Sequence, residues 1–246
     1  MRSIKPAYFL LLSLTLVIVS CAQPPGKPPQ MPGQAAVAMP DSYGAAVSAE
    51  ILEAGGNAVD AAIAAGFALA VTYPAAGNIG GGGFMLIRMN GEDAFLDYRE
   101  KAPLAATRDM YLDEEGNVIP GASLIGHLSV GVPGTVAGFE AAHEKYGSLP
   151  WADLLAPAIR LAEQGFIAGE KQGGGMLSRV ERYEGKTNFA KYFGSVTVGE
   201  PFKQPELAAT LRRISERGAT EFYRGKTAEL IVAEMARGNG LITGQD

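Results

Sequence analysis

Cysteine is all but missing from this 246-residue chain: Cys21 stands alone, which excludes an intramolecular disulfide framework and any multi-thiolate metal site. Histidine is scarcely commoner. His127 and His143 are the only two, neither falls in metal-ligand spacing, and "HEKYG" lacks the second histidine of a zinc-protease helix. Both read as surface or capping residues, so no metal and no other cofactor is expected, and any general base must be something other than imidazole. The chain also lacks a basic face. Its 21 Lys and Arg are scattered among 26 Asp and Glu, for a net charge of -5, and no nucleic-acid partner is expected. What it has in plenty is small and apolar: 47% hydrophobic residues and 32 glycines, enough for a substantial core.

The N-terminus sets Arg2 and Lys5 ahead of an apolar run from Ala7 to Val19, the layout of an export signal and too short for a membrane span. The run ends in Ile18, Val19, Ser20 and Cys21, which resembles the lipobox of bacterial lipoproteins, where cleavage precedes a cysteine that then carries lipid. An ordinary signal peptide that happens to contain a cysteine is the plainer alternative. Lipidation of Cys21 is preferred, because a lone thiol in an oxidising compartment has no disulfide partner. Residues 22–35 are rich in Pro, Gly and Gln and read as a semi-extended tether. The chain thus divides into a signal over 1–21, a tether over 22–35 and a folded domain over 36–246. Its expected place is outside the cytoplasm, periplasmic or at the cell surface, held to a membrane through lipid at Cys21.

From Asp41 the pattern turns helical: Tyr43, Val47, Ile51 and Ala54 share a face, and Gly55 with Gly56 supplies the stop. Asn57 caps a second helix, with Asp60 placed to return the hydrogen bond. "AVDAAIAAGFALAV" is small or apolar on nearly every side, which predicts a helix buried at the centre of a layered fold, ended by Pro74. "FMLIRM" and "AFLDY" flank "NGED" and predict a hairpin with both strands buried. Pro133 to Gly147 and Ser148 to Gly165 each bracket a helix, residues 168–202 predict an irregular or loosely helical surface, and residues 206–217 and 226–237 predict helices stopped by Gly218 and Gly238. Thr243 lies three positions before Asp246, the spacing of a capping box. A helix is therefore expected to begin where the chain stops, a hint that these residues are not the whole gene product.

Four consecutive glycines, Gly80 to Gly83, invite a phosphate-cradle reading, but a Walker loop needs Gly-Lys-Ser/Thr opening a helix and here Phe84 opens a strand. A tight point where two backbones cross is the structural alternative. "GHLSVG" puts Ser129 one residue out of place for a nucleophile elbow. The informative side chain is Arg99 in "LDYREKAP": it follows an apolar strand, so a guanidinium is fixed at a sheet rim, where its planar fork suits a carboxylate. Pairing with Asp97 or Glu100 to tidy the strand end is the competing reading.

Taken together, "ILEAGGNAVDAAIAAGFALAVTYPAAGNIGGGGFMLIR", "LDYREKAP", "GVPGTVAGFEAAHEKYG", "EFYRGKTAELI" and "GLITGQD" resemble, in order, the large-subunit half of the gamma-glutamyltranspeptidase family. The resemblance implies an α+β fold of the N-terminal-nucleophile hydrolase type, with four layers ordered α, β, β, α, made as a precursor that cuts itself into large and small subunits. It implies a threonine that attacks gamma-glutamyl amides such as glutathione, forms an acyl-enzyme, and passes the glutamyl group to water or to an amino acid or peptide.

By motif position, Arg99 is the family's arginine for the glutamyl α-carboxylate, and Gly80, Gly81, Gly82 and Gly83 carry backbone past the site. The nucleophile, the amine-binding groups and the oxyanion donors belong to a small subunit that is missing here. No catalytic residue is assigned to this chain, and the polypeptide alone is expected to be inactive. A cephalosporin or glutaryl acylase of the same family, and a non-catalytic binding lipoprotein, are the alternatives.

Overall fold

The computed structural model describes residues 35–246. The export signal, Cys21 and the tether up to residue 34 lie outside the described residues. Helix α1 runs Ser42–Glu53, and Asp41 caps it by accepting the Gly44 N–H at 2.7 Å; Gly55 leaves it at φ 87°, a conformation that favours glycine. Helix α2 spans Ala58–Thr72 under a complete Asn57/Asp60 capping box and is the centre of the molecule, with Ile63, Phe67 and Val71 fully buried. Its alanines let α1 pack close on one side and α4 on another.

Strand β1, Phe84–Met89, pairs antiparallel with β2, Glu92–Asp97, in the register Phe84↔Asp97 to Met89↔Glu92. The turn residues Asn90 and Gly91 take φ 54° and 84°, the doubly positive geometry of a tight hairpin. Only one face of this hairpin is covered. Ile87 is buried, and Met85, Met89, Ala94 and Leu96 pack against the core, whereas Phe84, Leu86 and Phe95 are 52, 79 and 64% exposed. The expectation that both strands are buried is therefore wrong in this chain. An apolar run on both strand faces calls for cover on both, and the described residues supply it on one. Each strand also keeps one unpaired edge among the described residues.

Helix α3 occupies Thr135–Tyr146 and α4 Trp151–Gln164, starting two and three residues later than Pro133 and Ser148 predict. Ser148 does not cap α4. Its hydroxyl and amide instead donate to Asp60, at 2.5 and 3.0 Å. Residues 168–202 are more ordered than the sequence predicts: β3, Phe166–Ile167, pairs with β4, Pro201–Phe202, around α5, Glu170–Arg182, and the short α6, Phe189–Phe193. The three glycines at 173–175 hide this helix from propensity reasoning. Gly173 fits because a Cβ there would stand 3.0 Å from Val198. Helices α7, Pro205–Arg217, α8, Ala219–Arg224, and α9, Lys226–Arg237, complete the fold, joined through buried Glu221, which accepts from Arg213 and Thr227.

Candidate functional site

Three segments meet at the N-terminus of α3. The Gly81 carbonyl accepts two amides, Gly134 N–H at 2.7 Å and Thr135 N–H at 3.0 Å, while Gly83 and Tyr98 exchange backbone hydrogen bonds at 3.3 and 3.0 Å. Lys101 and Val132 do the same at 3.2 and 2.8 Å. This crossing explains most of the glycine run. A Cβ on Gly82 would sit 2.5 Å from the Tyr98 carbonyl oxygen and 2.7 Å from the Glu100 nitrogen, and one on Gly81 2.5 Å from Asn78 Oδ1. Gly83 faces the Tyr98 ring at 3.0 Å. None of the four has a positive φ, so close approach, rather than an unusual backbone angle, requires them. Gly80 is different: a Cβ there would meet nothing within 4 Å.

Tyr98 is the wedge of the crossing. Its ring lies against Gly83 and Gly138, its carbonyl against Gly134, and it meets Phe139 edge to face at 5.8 Å. Burial raises its phenol above the usual tyrosine range, so it stays neutral. The sequence reading missed Tyr98, although the four-residue spacing of Gly134 and Gly138 within "GVPGTVAG" marks one helix face kept clear for a large side chain. Tyr223 of α8 braces the same helix end by donating to Pro133 O at 2.9 Å and accepting from Ala137 N–H at 3.3 Å.

Arg99 emerges from this knot. Its side chain is 62% exposed and its Nε donates to Glu100 at 3.1 Å; the guanidinium carbon lies 5.7 Å from the Phe84 ring centroid. The strand-end pairing with Glu100 and a ligand-binding role are compatible, because the bond to Glu100 engages Nε, and a guanidinium has four further N–H donors on its terminal nitrogens. Glu100 itself is held below the usual carboxylate range, chiefly by its own amide and, against a smaller opposing push from burial, by Arg99 and the Gly82 amide. Arg99 lines a cavity of about 330 Å³ together with Tyr98, Lys101, Pro133, Tyr223 and Asp246. The histidines lie elsewhere: His143 bonds Leu149 O at 2.7 Å, and His127 meets Glu234 at 3.0 Å.

A helical layer backs an antiparallel hairpin, and this α+β fold is of the N-terminal-nucleophile hydrolase type that its structural neighbours share. A family model described as Gamma-glutamyltranspeptidase matches residues 44–246, and the chain belongs to that family. It is 53% identical over 242 residues to a glutathione hydrolase proenzyme of Pseudomonas aeruginosa, covering 98% of this chain and 43% of that protein. The chain therefore spans less than half the length of this relative. A solved gamma-glutamyltranspeptidase from Pseudomonas nitroreducens, complexed with L-DON, superposes with a TM-score of 0.84 at 55% identity over 86% of this chain and 63% of the other. A cephalosporin acylase from Bacillus halodurans is more distant, with a TM-score of 0.74 and 30% identity over 82% of this chain and 39% of that one.

Proposed function

We propose that this chain acts as the large-subunit portion of an exported glutathione hydrolase that cleaves gamma-glutamyl amides and passes the glutamyl group to water or to an amino acid or peptide. The observation that carries the proposal is the placement of Arg99: a guanidinium fork at a cavity rim, its Nε already oriented by Glu100 and its backbone pinned by Gly82. Such a fork recognises the α-carboxylate of a glutamyl group through paired charge-assisted hydrogen bonds. The threonine nucleophile, whose own α-amino group serves as base, and the oxyanion donors belong in this proposal to a C-terminal small subunit. The chain's own contribution is to bind and orient. Export and membrane attachment through Cys21 rest on the N-terminal charge and apolar pattern; among the described residues no helix is long and apolar enough to cross a membrane.

Substitution of Arg99 in the complete precursor tests this reading. Arg99→Ala should raise KM for a gamma-glutamyl anilide by roughly 10- to 100-fold, the loss of one charge-assisted contact, and Arg99→Lys should recover only part of it because a single ammonium cannot make the paired contact. A glutaryl anilide, which has no α-amino acid head group, separates the acylase alternative. Preference for it, or an Arg99→Ala enzyme with unchanged KM, would overturn the proposal.

A further inference from the structure

The Arg99 segment is fastened at three points spaced three residues apart. Tyr98 is paired with Gly83 and Lys101 with Val132, both through backbone. The third fastening, at Leu104, is made by a side chain: Asp246 Oδ1 accepts the Leu104 N–H at 2.6 Å across 142 positions of sequence. The other oxygen of the same carboxylate, Oδ2, accepts the Thr243 N–H at 2.8 Å and the Thr243 hydroxyl at 3.0 Å. Its orientation is therefore fixed from behind. Asp246 also lines the cavity that Arg99 lines.

Resting on the reading above, we propose that Asp246 is a positioning residue for Arg99: its carboxylate holds the strand exit at Leu104, just beyond the Lys101–Val132 pair, and so steadies the segment from which the guanidinium reaches the cavity that both residues line. A short charge-assisted bond to a backbone amide is among the stronger single contacts available to an exposed loop. Leu104 is 74% exposed, so water can replace the carboxylate on its amide when the bond is lost. The loss should therefore fall on geometry more than on folding. The Leu104 and Thr243 amides hold the Asp246 carboxyl below the usual range, and the clasp stays charged through neutral pH.

The test uses the complete precursor and the gamma-glutamyl anilide. Asp246→Ala should mature normally, raise KM about tenfold and leave kcat within about twofold, the pattern of a misplaced binding group. Asp246→Asn keeps one acceptor oxygen for two sets of donors and should raise KM about threefold. In an Arg99→Ala background, Asp246→Ala should add nothing, because the residue acts through the guanidinium. A wild-type KM in Asp246→Asn would overturn the assignment, as would a full additional effect of Asp246→Ala without Arg99, or a defect confined to maturation or thermal stability. If Arg99→Ala itself leaves KM unchanged, the carboxylate-binding reading fails instead, and the two failures are told apart by that single variant.

Discussion

At the scale of single residues, the glycine run separates into positions with and without room. Gly82 is closed in by backbone on both sides of Arg99, and backbone cannot rotate aside as a side chain can. Gly82→Ala should destabilise the chain by about 1–3 kcal/mol, and Gly82→Val should abolish maturation of the complete precursor. Gly80→Ala should change the unfolding midpoint by an amount equivalent to no more than about 0.5 kcal/mol, because its Cβ would enter open space. Urea titration of both variants checks the contrast, and equal effects would mean that the run is not a crossing point. The sequence announces that some backbone must come close to "GGGG", since four side chains are forgone. It does not name Tyr98 as the neighbour, because the contacts join residues fifteen and more positions apart and depend on where α3 sits. Asp246 was legible as a capping residue for Thr243, yet its bond to Leu104 was not, since no local spacing encodes a partner at such distance.

At the scale of elements, the junction of α2 with the α3–α4 turn rests on one buried carboxylate. Asp60 is fully buried and accepts from the Asn57 amide at 2.8 Å and from the Ser148 amide and hydroxyl at 3.0 and 2.5 Å. Burial pushes its pKa up, but the Ser148 hydroxyl and the Asn57, Ser148 and Leu149 amides outweigh it, and the net displacement is downward. A carboxyl depressed by folding stabilises fully above its unfolded value near 3.8 and loses that contribution as pH falls through the folded value. Stability should accordingly fall off in acid below about pH 4. Asp60→Asn should cost about 1–3 kcal/mol at pH 7, by setting an amide NH2 against donors, and should flatten the acid limb. Urea midpoints between pH 3 and pH 7 would show both effects, and an unchanged acid slope would remove Asp60 from the account. The Asn57 cap and the central burial of α2 could be read from sequence because they are local pattern. The start of α4 could not, because Ser148 looks like a cap and is instead claimed by Asp60 from a distant helix.

At the scale of the molecule, the hairpin carries one face too many. Phe84 and Phe95 stack on each other at 5.5 Å and 23°, Leu86 stands beside them across the strand pair, and these side chains face away from the core on which Ile87 packs. Exposed apolar side chains contiguous on a flat ribbon with unpaired edges form a surface that favours association. In the four-layer arrangement that the family resemblance implies for a complete precursor, a second sheet would cover this face. The chain alone should therefore bind a hydrophobic reporter dye and self-associate. Leu86→Lys with Phe95→Lys should suppress both while leaving its far-ultraviolet circular dichroism unchanged, because neither side chain is part of the buried cluster. In the complete precursor the same pair should block maturation, since two ammonium groups would be forced into an apolar interface without partners. A chain that stays monomeric and dye-free, together with a doubly substituted precursor that matures and turns over normally, would mean that this face meets solvent in the working enzyme. The apolar character of both strand faces was plain from "FMLIRM" and "AFLDY", but which face meets the core depends on where the helices lie, and the described residues cover only the Ile87 side.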